Sequence, residues 1–155
     1  MERPAQKAPQ DLRYWLAHVA GEGAKSPKTV TKDLVLRRHM FAMRETVHTK
    51  THIVCGDRIC FYVTGCVGVI ADACVASEPH HENDPRITYD GMFPMVIQLD
   101  EVYSQDQPIV LDSGLRERLD AFAGRTPGRP WSWFVRTMHT VSEHDFNRLI
   151  GASEA

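Results

Sequence analysis

The chain has 155 residues, 43% of them apolar and 25% charged, with a formal net charge of −2 at pH 7. That length fits one domain with a real core but not two well-packed halves, and no apolar run approaches the roughly 18 residues that a membrane span needs. The composition is that of a globular protein, for which a cytoplasmic location is expected.

Residues 1–10, MERPAQKAPQ, lack the apolar centre of a secretory signal and read as a disordered tail, leaving residues 11–152 as a single domain. Leu12 to Val19 is aromatic and aliphatic, is closed by Gly21-Glu22-Gly23, and predicts a first strand. Ser26 before Pro27 supplies an N-cap and a favoured first helical residue, so Thr29 to Arg38 predicts a short helix with Val30 and Leu34 inward and a basic outer face. Met40 to Val54 shows no period and is expected to be a long functional loop.

Gly56-Asp57 turns into a strand over Arg58 to Thr64, which pairs across Gly65-Cys66 with Val67 to Val75 as a hairpin. In the second strand Val67, Val69, Ala71, Ala73 and Val75 are expected to share one face, because side chains alternate with period two. After the polar stretch Pro79 to Gly91, the alternation of Met95, Ile97 and Leu99 with Gln98 and Asp100 predicts a strand over Met92 to Tyr103.

Ser113 is placed to cap a helix over Leu115, Leu119 and Phe122 that ends at Gly124, and Pro127-Gly128-Arg129-Pro130 reads as a rigid loop before Trp131 to Met138. Ser142 and Asp145 are spaced as a capping box, with Val141 and Phe146 as a hydrophobic staple, for a last helix that runs through Leu149 and Ile150 to Gly151. Four or five strands with interleaved short helices and no βαβ rhythm predict an antiparallel, barrel-like α+β domain.

Charge is unevenly spread. Residues 25–58 carry eight Lys or Arg (Lys25, Lys28, Lys32, Arg37, Arg38, Arg44, Lys50, Arg58) against three acids, whereas residues 72–120 carry eleven acids against Arg86, Arg116 and Arg118. Residues 121–139 hold Arg125, Arg129 and Arg136 and no acid. One side is therefore suited to a polyanion, although a solvated helix face gives the same count.

Catalytic signatures are missing: there is no G-x-S-x-G, no phosphate-binding G-x-x-x-x-G-K, no H-E-x-x-H and no dinucleotide fingerprint. Cys55, Cys60, Cys66 and Cys74 form no C-x-x-C pair and read as reduced, mostly buried thiols. His80-His81-Glu82-Asn83-Asp84 has metal-ligand types, but neighbours on an extended chain point to opposite sides, so a solvated loop is expected. Neither a metal nor a cofactor is expected. Tyr14, Trp15, Phe41, Trp131 and Trp133, with Arg136 following, offer flat faces on which a base can stack, while three Trp can equally serve as core.

Taken in order, several segments resemble the EVE domain of the PUA-like superfamily. They are Tyr14-Trp15-Leu16, Phe41-Ala42-Met43 where that group usually has Trp-Gly-Val, and Gly56-Asp57-Arg58 with its aliphatic and aromatic strand. Val67-Gly68-Val69 with Ser77-Glu78-Pro79 follows, and Trp131-Ser132, Met138 to Val141, Asp145, Phe146 and Ile150 close the match over about 140 residues. The resemblance implies a PUA-like, mostly antiparallel β-barrel of five to six strands with short flanking helices, related to the YTH and ASCH domains.

It also implies a non-enzymatic module that holds a modified base of DNA or RNA in an aromatic pocket. The implied ligand-binding residues are Tyr14, Trp15, His18, Phe41, Ala42, Thr64, Trp131 and Trp133, and the implied phosphate contacts are Arg44, Lys50 and Arg136. Two alternatives stay open: an ASCH-like small-molecule sensor or enzyme on the same barrel, such as a small-substrate hydrolase, or a protein-interaction module that uses the acidic residues of 72–120.

Overall fold

A computed structural model describes residues 12–19, 31–45, 52–63, 68–88, 91–125, 130–136 and 138–152. Outside the described residues lie the N-terminal tail, the Ser26-Pro27 cap, Lys50, Thr64, Cys66, Val67 and the 127–129 part of the proline-rich loop, together with the side chain of Arg136.

The strands are β1 (Tyr14–Val19), β2 (Met40–Met43), β3 (Arg58–Val63), β4 (Gly68–Val75), β5 (His80–His81), β6 (Met95–Val110) and β7 (His139–Val141). The helices are α1 (Thr31–Arg37), α2 (Pro85–Thr88), α3 (Ser113–Glu117), α4 (Trp133–Arg136) and α5 (Glu143–Leu149), with a 3-10 turn over Asp120–Phe122. α1 is π-wound, and the Arg38 N–H donates to the Asp33 carbonyl at 3.2 Å. Among the described residues no helix is long and apolar enough to cross a membrane.

All seven strands join one curled sheet in the order β2-β6-β4-β3-β1-β7, with β5 also on β6. The sheet is mixed, which corrects the antiparallel expectation: β1 runs parallel to β3, in the register Tyr14↔Arg58 to Val19↔Val63, and antiparallel to β7. A parallel pair needs a crossover of a dozen or more residues. The stretch between Val19 and Arg58, which includes α1 and β2, supplies one without any repeated βαβ pattern.

The two faces of the sheet pack into two cores. Trp15, Ala17, Val19, Ile59, Phe61 and Ala73 face the first, which α1 closes with Leu34 and Val35. Tyr14, Leu16, Cys60, Tyr62 and Val69 face the second, under Leu115, Leu119, Phe134, Phe146 and Leu149. Burial of both faces explains why β1 and β3 read as near-continuous apolar runs.

Several expectations need correction. The loop expected over Met40–Val54 begins with β2, which pairs Met40↔Gln98 through Met43↔Met95. Four buried or half-buried apolar residues show no alternation, so their strand has no periodic signature. β6 is longer than Met92–Tyr103 suggested and runs to Val110. Its second half lies open to solvent on much of its length, so backbone pairing with β4 rather than apolar alternation carries it.

On β4, Val69 does not share the face of Ala71, Ala73 and Val75. The register jumps between Phe61↔Ala71 and Tyr62↔Val69, and the extra residue at this bulge, Ile70, reverses the side-chain parity. The cap of α3 is Asp112 rather than Ser113: its carboxylate accepts the Leu115 N–H at 2.8 Å. That helix stops at Glu117 because Leu119 is extended, although Gly124 does take a positive φ of 77° at the end of the segment.

The last helix forms as expected, with Ser142 Oγ accepting the Asp145 N–H at 3.0 Å. The reciprocal half of the box does not appear, because the Asp145 carboxylate instead accepts the N–H groups of Asp120 (2.6 Å) and Ala121 (3.0 Å).

Candidate nucleic-acid interface

Strand alternation divides the expected pocket. Trp15 points into the first core, while Tyr14 and His18, one and three residues away along β1, face the second side of the sheet. Trp15 is only 4% exposed, and its Nε1–H donates to the buried Asp57 carboxylate at 2.9 Å; the same oxygen accepts the Val54 N–H at 3.2 Å. Phe41 lies buried against Phe61 with ring centroids 5.2 Å apart, and Ala42 joins the same cluster. Trp15, Phe41 and Ala42 are therefore interior packing in this structure and do not meet the late tryptophans.

Tyr14 is also buried, 5.1 Å from the Phe146 ring, and burial raises its pKa, helped by the nearby charge of Glu143. Arg44 is exposed and lies over the Phe93 ring at 5.3 Å. Thr64 and Lys50 lie outside the described residues, and of Arg136 only the backbone, closing α4, is described.

The second face gathers a different set. His18 pairs in register with Tyr62, their rings 6.2 Å apart, and its half-burial lowers its pKa. Burial pushes the Tyr62 hydroxyl up, opposed by the positive charge of Arg116. Arg116 projects from α3, donates to the Leu111 carbonyl, and lays its guanidinium 4.4 Å over the partly buried Trp131. Beside it, Arg125 lies 4.1 Å over Trp133, which also touches Phe122 and Phe134 at 5.2 and 5.6 Å.

Of the residues singled out from the sequence, His18 thus packs on Tyr62, and Trp131 carries Arg116, whose positive charge bears on Tyr62. Tyr62, Arg116 and Arg125 were missed as site residues. Tyr62 falls on the His18 face only once the parallel register is known, and no local spacing links Arg116 to Trp131.

The basic segment is less open than its count suggests. Arg58 is buried and pairs with the fully buried Asp72 at 3.0 Å, while Arg37 and Arg38 lie 3.2 and 3.6 Å from Asp33. Cys60 is buried and its thiol is pushed well up by burial; Cys74 is raised for the same reason. Both stay protonated, the opposite of what a nucleophilic thiol requires. In the histidine stretch, His80 and His81 form β5, His81 lies 3.2 Å from Glu45, and Arg86 holds the Asp84 carboxyl down at about 2.

Asp120, His144 and Asp145 bring three possible metal ligands within 4.8 Å of one another. The ring is already committed. Arg148 Nε donates to His144 Nε2 at 2.9 Å, which puts the proton on Nδ1, facing Asp120 Oδ1 at 3.2 Å. Asp145 accepts two backbone N–H groups, so the cluster ties α5 to the 3-10 turn and offers no histidine lone pair to an ion.

No protein-family model and no curated protein sequence matches the chain. Solved structures do resemble it. A hypothetical protein from Leishmania major superimposes with a TM-score of 0.56 at 16% identity, covering 92% of this chain and 94% of that one. A Rhodopseudomonas palustris protein solved by NMR gives 0.55 at 14% identity over 90% and 92% of the two chains, and a Pseudomonas putida protein solved by X-ray crystallography gives 0.52 at 14% over 89% and 97%. At these identities the likeness establishes a shared fold: a small, curled, barrel-like α+β sheet.

Proposed function

We propose that this chain is a non-enzymatic nucleic-acid-binding module of the EVE kind on a PUA-like barrel, and that it takes an unstacked, modified base on the side of the sheet that carries Trp131, Arg116 and His18. The observation that carries this reading is the partly buried Trp131 with the Arg116 guanidinium stacked on it at 4.4 Å. Unpaired bases stack on aromatic rings and on guanidinium planes, and each such stack contributes about 1–3 kcal/mol. The Trp133–Arg125 stack beside it repeats the chemistry for a neighbouring base.

The polar groups on this side of the sheet suit recognition. Burial shifts both His18 and Tyr62 toward their uncharged forms. A neutral His18, packed on the buried Tyr62, offers one donor and one acceptor to the edge of a base. Arg125 and the exposed Arg44 are the phosphate contacts of this reading.

The test is anisotropy of short labelled single strands carrying cytosine, a 5-substituted cytosine or N6-methyladenine, at low and moderate salt. Binding should depend on the modification, weaken with salt as counterions are released, and fall roughly 5- to 150-fold in Trp131→Ala. Arg116→Gln should weaken it as well. No binding to any strand, or binding indifferent to both substitutions, overturns the proposal.

A further inference from the structure

Trp131 and Trp133 sit two positions apart, and each carries its own guanidinium: Arg116 lies 4.4 Å over Trp131, and Arg125 lies 4.1 Å over Trp133. Both rings are partly exposed, and Ser132 between them is exposed. The chain turns tightly here, with the Phe134 N–H donating to the Trp131 carbonyl at 3.0 Å and the Val135 N–H to the Ser132 carbonyl at 3.1 Å. Side chains two positions apart on such a turn do not face each other. The two indoles accordingly make separate contacts: Phe122 and Phe134 brace Trp133 at 5.2 and 5.6 Å, while Trp131 packs against the second core.

The guanidinium groups are held in place without being neutralised. Arg116 donates to the Leu111 carbonyl and Arg125 Nε to the Ala121 carbonyl at 3.1 Å, and neither forms an ion pair among the described residues. A guanidinium has five N–H donors, so each keeps several for a phosphate. Its flat outer face, like the indole beneath it, is a surface on which a base stacks.

Two platforms that point apart hold two successive bases only when those bases are unstacked from one another. Extruding one base from a duplex breaks its pairing and stacking, and extruding two neighbours does so twice, whereas a single strand has no pairing to break. We infer, resting on the base-reading proposal above, that the ligand is a single strand of at least two nucleotides, with the modified base on the Trp131–Arg116 stack and the adjacent base on Trp133–Arg125. A free nucleotide fills half of this site, and an intact duplex does not supply both bases.

The experiment is a competition anisotropy titration of the full chain against a labelled single strand, in one series with 5-methylcytosine and in another with N6-methyladenine. The competitors in each series are the mononucleotide, the dinucleotide, the same dinucleotide with an abasic second position, and a blunt duplex with the modified base at its centre. In the series that binds more tightly, the dinucleotide should compete about 5- to 150-fold better than its abasic counterpart, which has the same phosphates. The duplex should be at least about tenfold weaker than the single strand of its sequence. Arg125→Gln, at an exposed position, should shrink the gain from the second base, whereas Arg116→Gln should weaken every ligand. An abasic dinucleotide as good as the intact one, a duplex as good as the single strand, or an undiminished gain in Arg125→Gln overturns the inference, while binding that still falls in Trp131→Ala leaves the base-reading proposal standing. No binding in either series overturns both.

Discussion

Asp57→Ala probes the joint that holds the start of β1 to the turn before β3. Asp57 is 2% exposed and accepts from Trp15 Nε1 at 2.9 Å and from the Val54 N–H at 3.2 Å. With the carboxylate gone, the indole N–H, buried with a ring only 4% exposed, has no water to replace it. An orphaned buried donor costs about 1–3 kcal/mol. Val54 lies at the surface and its N–H can be hydrated, while the Arg13 N–H also loses its acceptor on Asp57 at 3.4 Å, which adds about 1 kcal/mol, so the total expected loss is about 2–4 kcal/mol. With a urea m-value of about 2 kcal/mol/M, the unfolding midpoint should fall by about 1–2 M. The decisive quantity is the coupling in a double-mutant cycle with Trp15→Phe, which keeps a ring in the core but removes the N–H. Measured by far-UV circular dichroism at constant m, the coupling should be at least about 1 kcal/mol. Additivity within about 0.5 kcal/mol would falsify the claim that Trp15 is a hydrogen-bonded core residue and would reopen it as a ligand contact.

Other perturbations separate the same packing argument into parts. A Cβ on Gly68 would lie 2.6 Å from the Ile109 carbonyl oxygen and 2.9 Å from its carbon, both backbone of the paired strand. Gly68→Ala should therefore cost at least about 1–3 kcal/mol, whereas Gly114→Ala, which meets only Asp112 Oδ1 at 3.5 Å within α3, should be neutral or mildly stabilising; equal melting temperatures for the two would contradict the register.

Ser142→Ala removes both the cap on the Asp145 N–H and the 2.9 Å bond from Ser142 Oγ to Asp120, for a loss of about 1–2 kcal/mol with faster amide exchange over 143–146. Half-burial lowers the His18 pKa below 6.5, so below that value the unfolded chain binds more protons than the folded one. The His18 contribution is thus intact above about pH 6.5 and lost as pH falls below it. His18→Gln should flatten the fall of the urea midpoint between pH 7 and 5, and parallel curves for the two proteins would rule this out.

Local signals carried a definite part of the fold. Strands β1, β3 and β4, the Ser142 cap and the positive-φ stop at Gly151 each follow from a few adjacent residues, because capping, strand propensity and left-handed backbone are decided within one or two turns of chain. Which face a side chain occupies, and what it meets there, is set by pairing between distant segments. With a side-chain period of two, the parallel β1–β3 register and the bulge at Ile70 assign Tyr62 and Val69 to the second core, and the same parity sends Trp15 away from Trp131. The burial of Arg58 against Asp72, and the stacking of Arg116 on a tryptophan fifteen positions later, likewise exist only once the sheet has curled and α3 has docked, since neither contact has a local energy that a linear spacing could record.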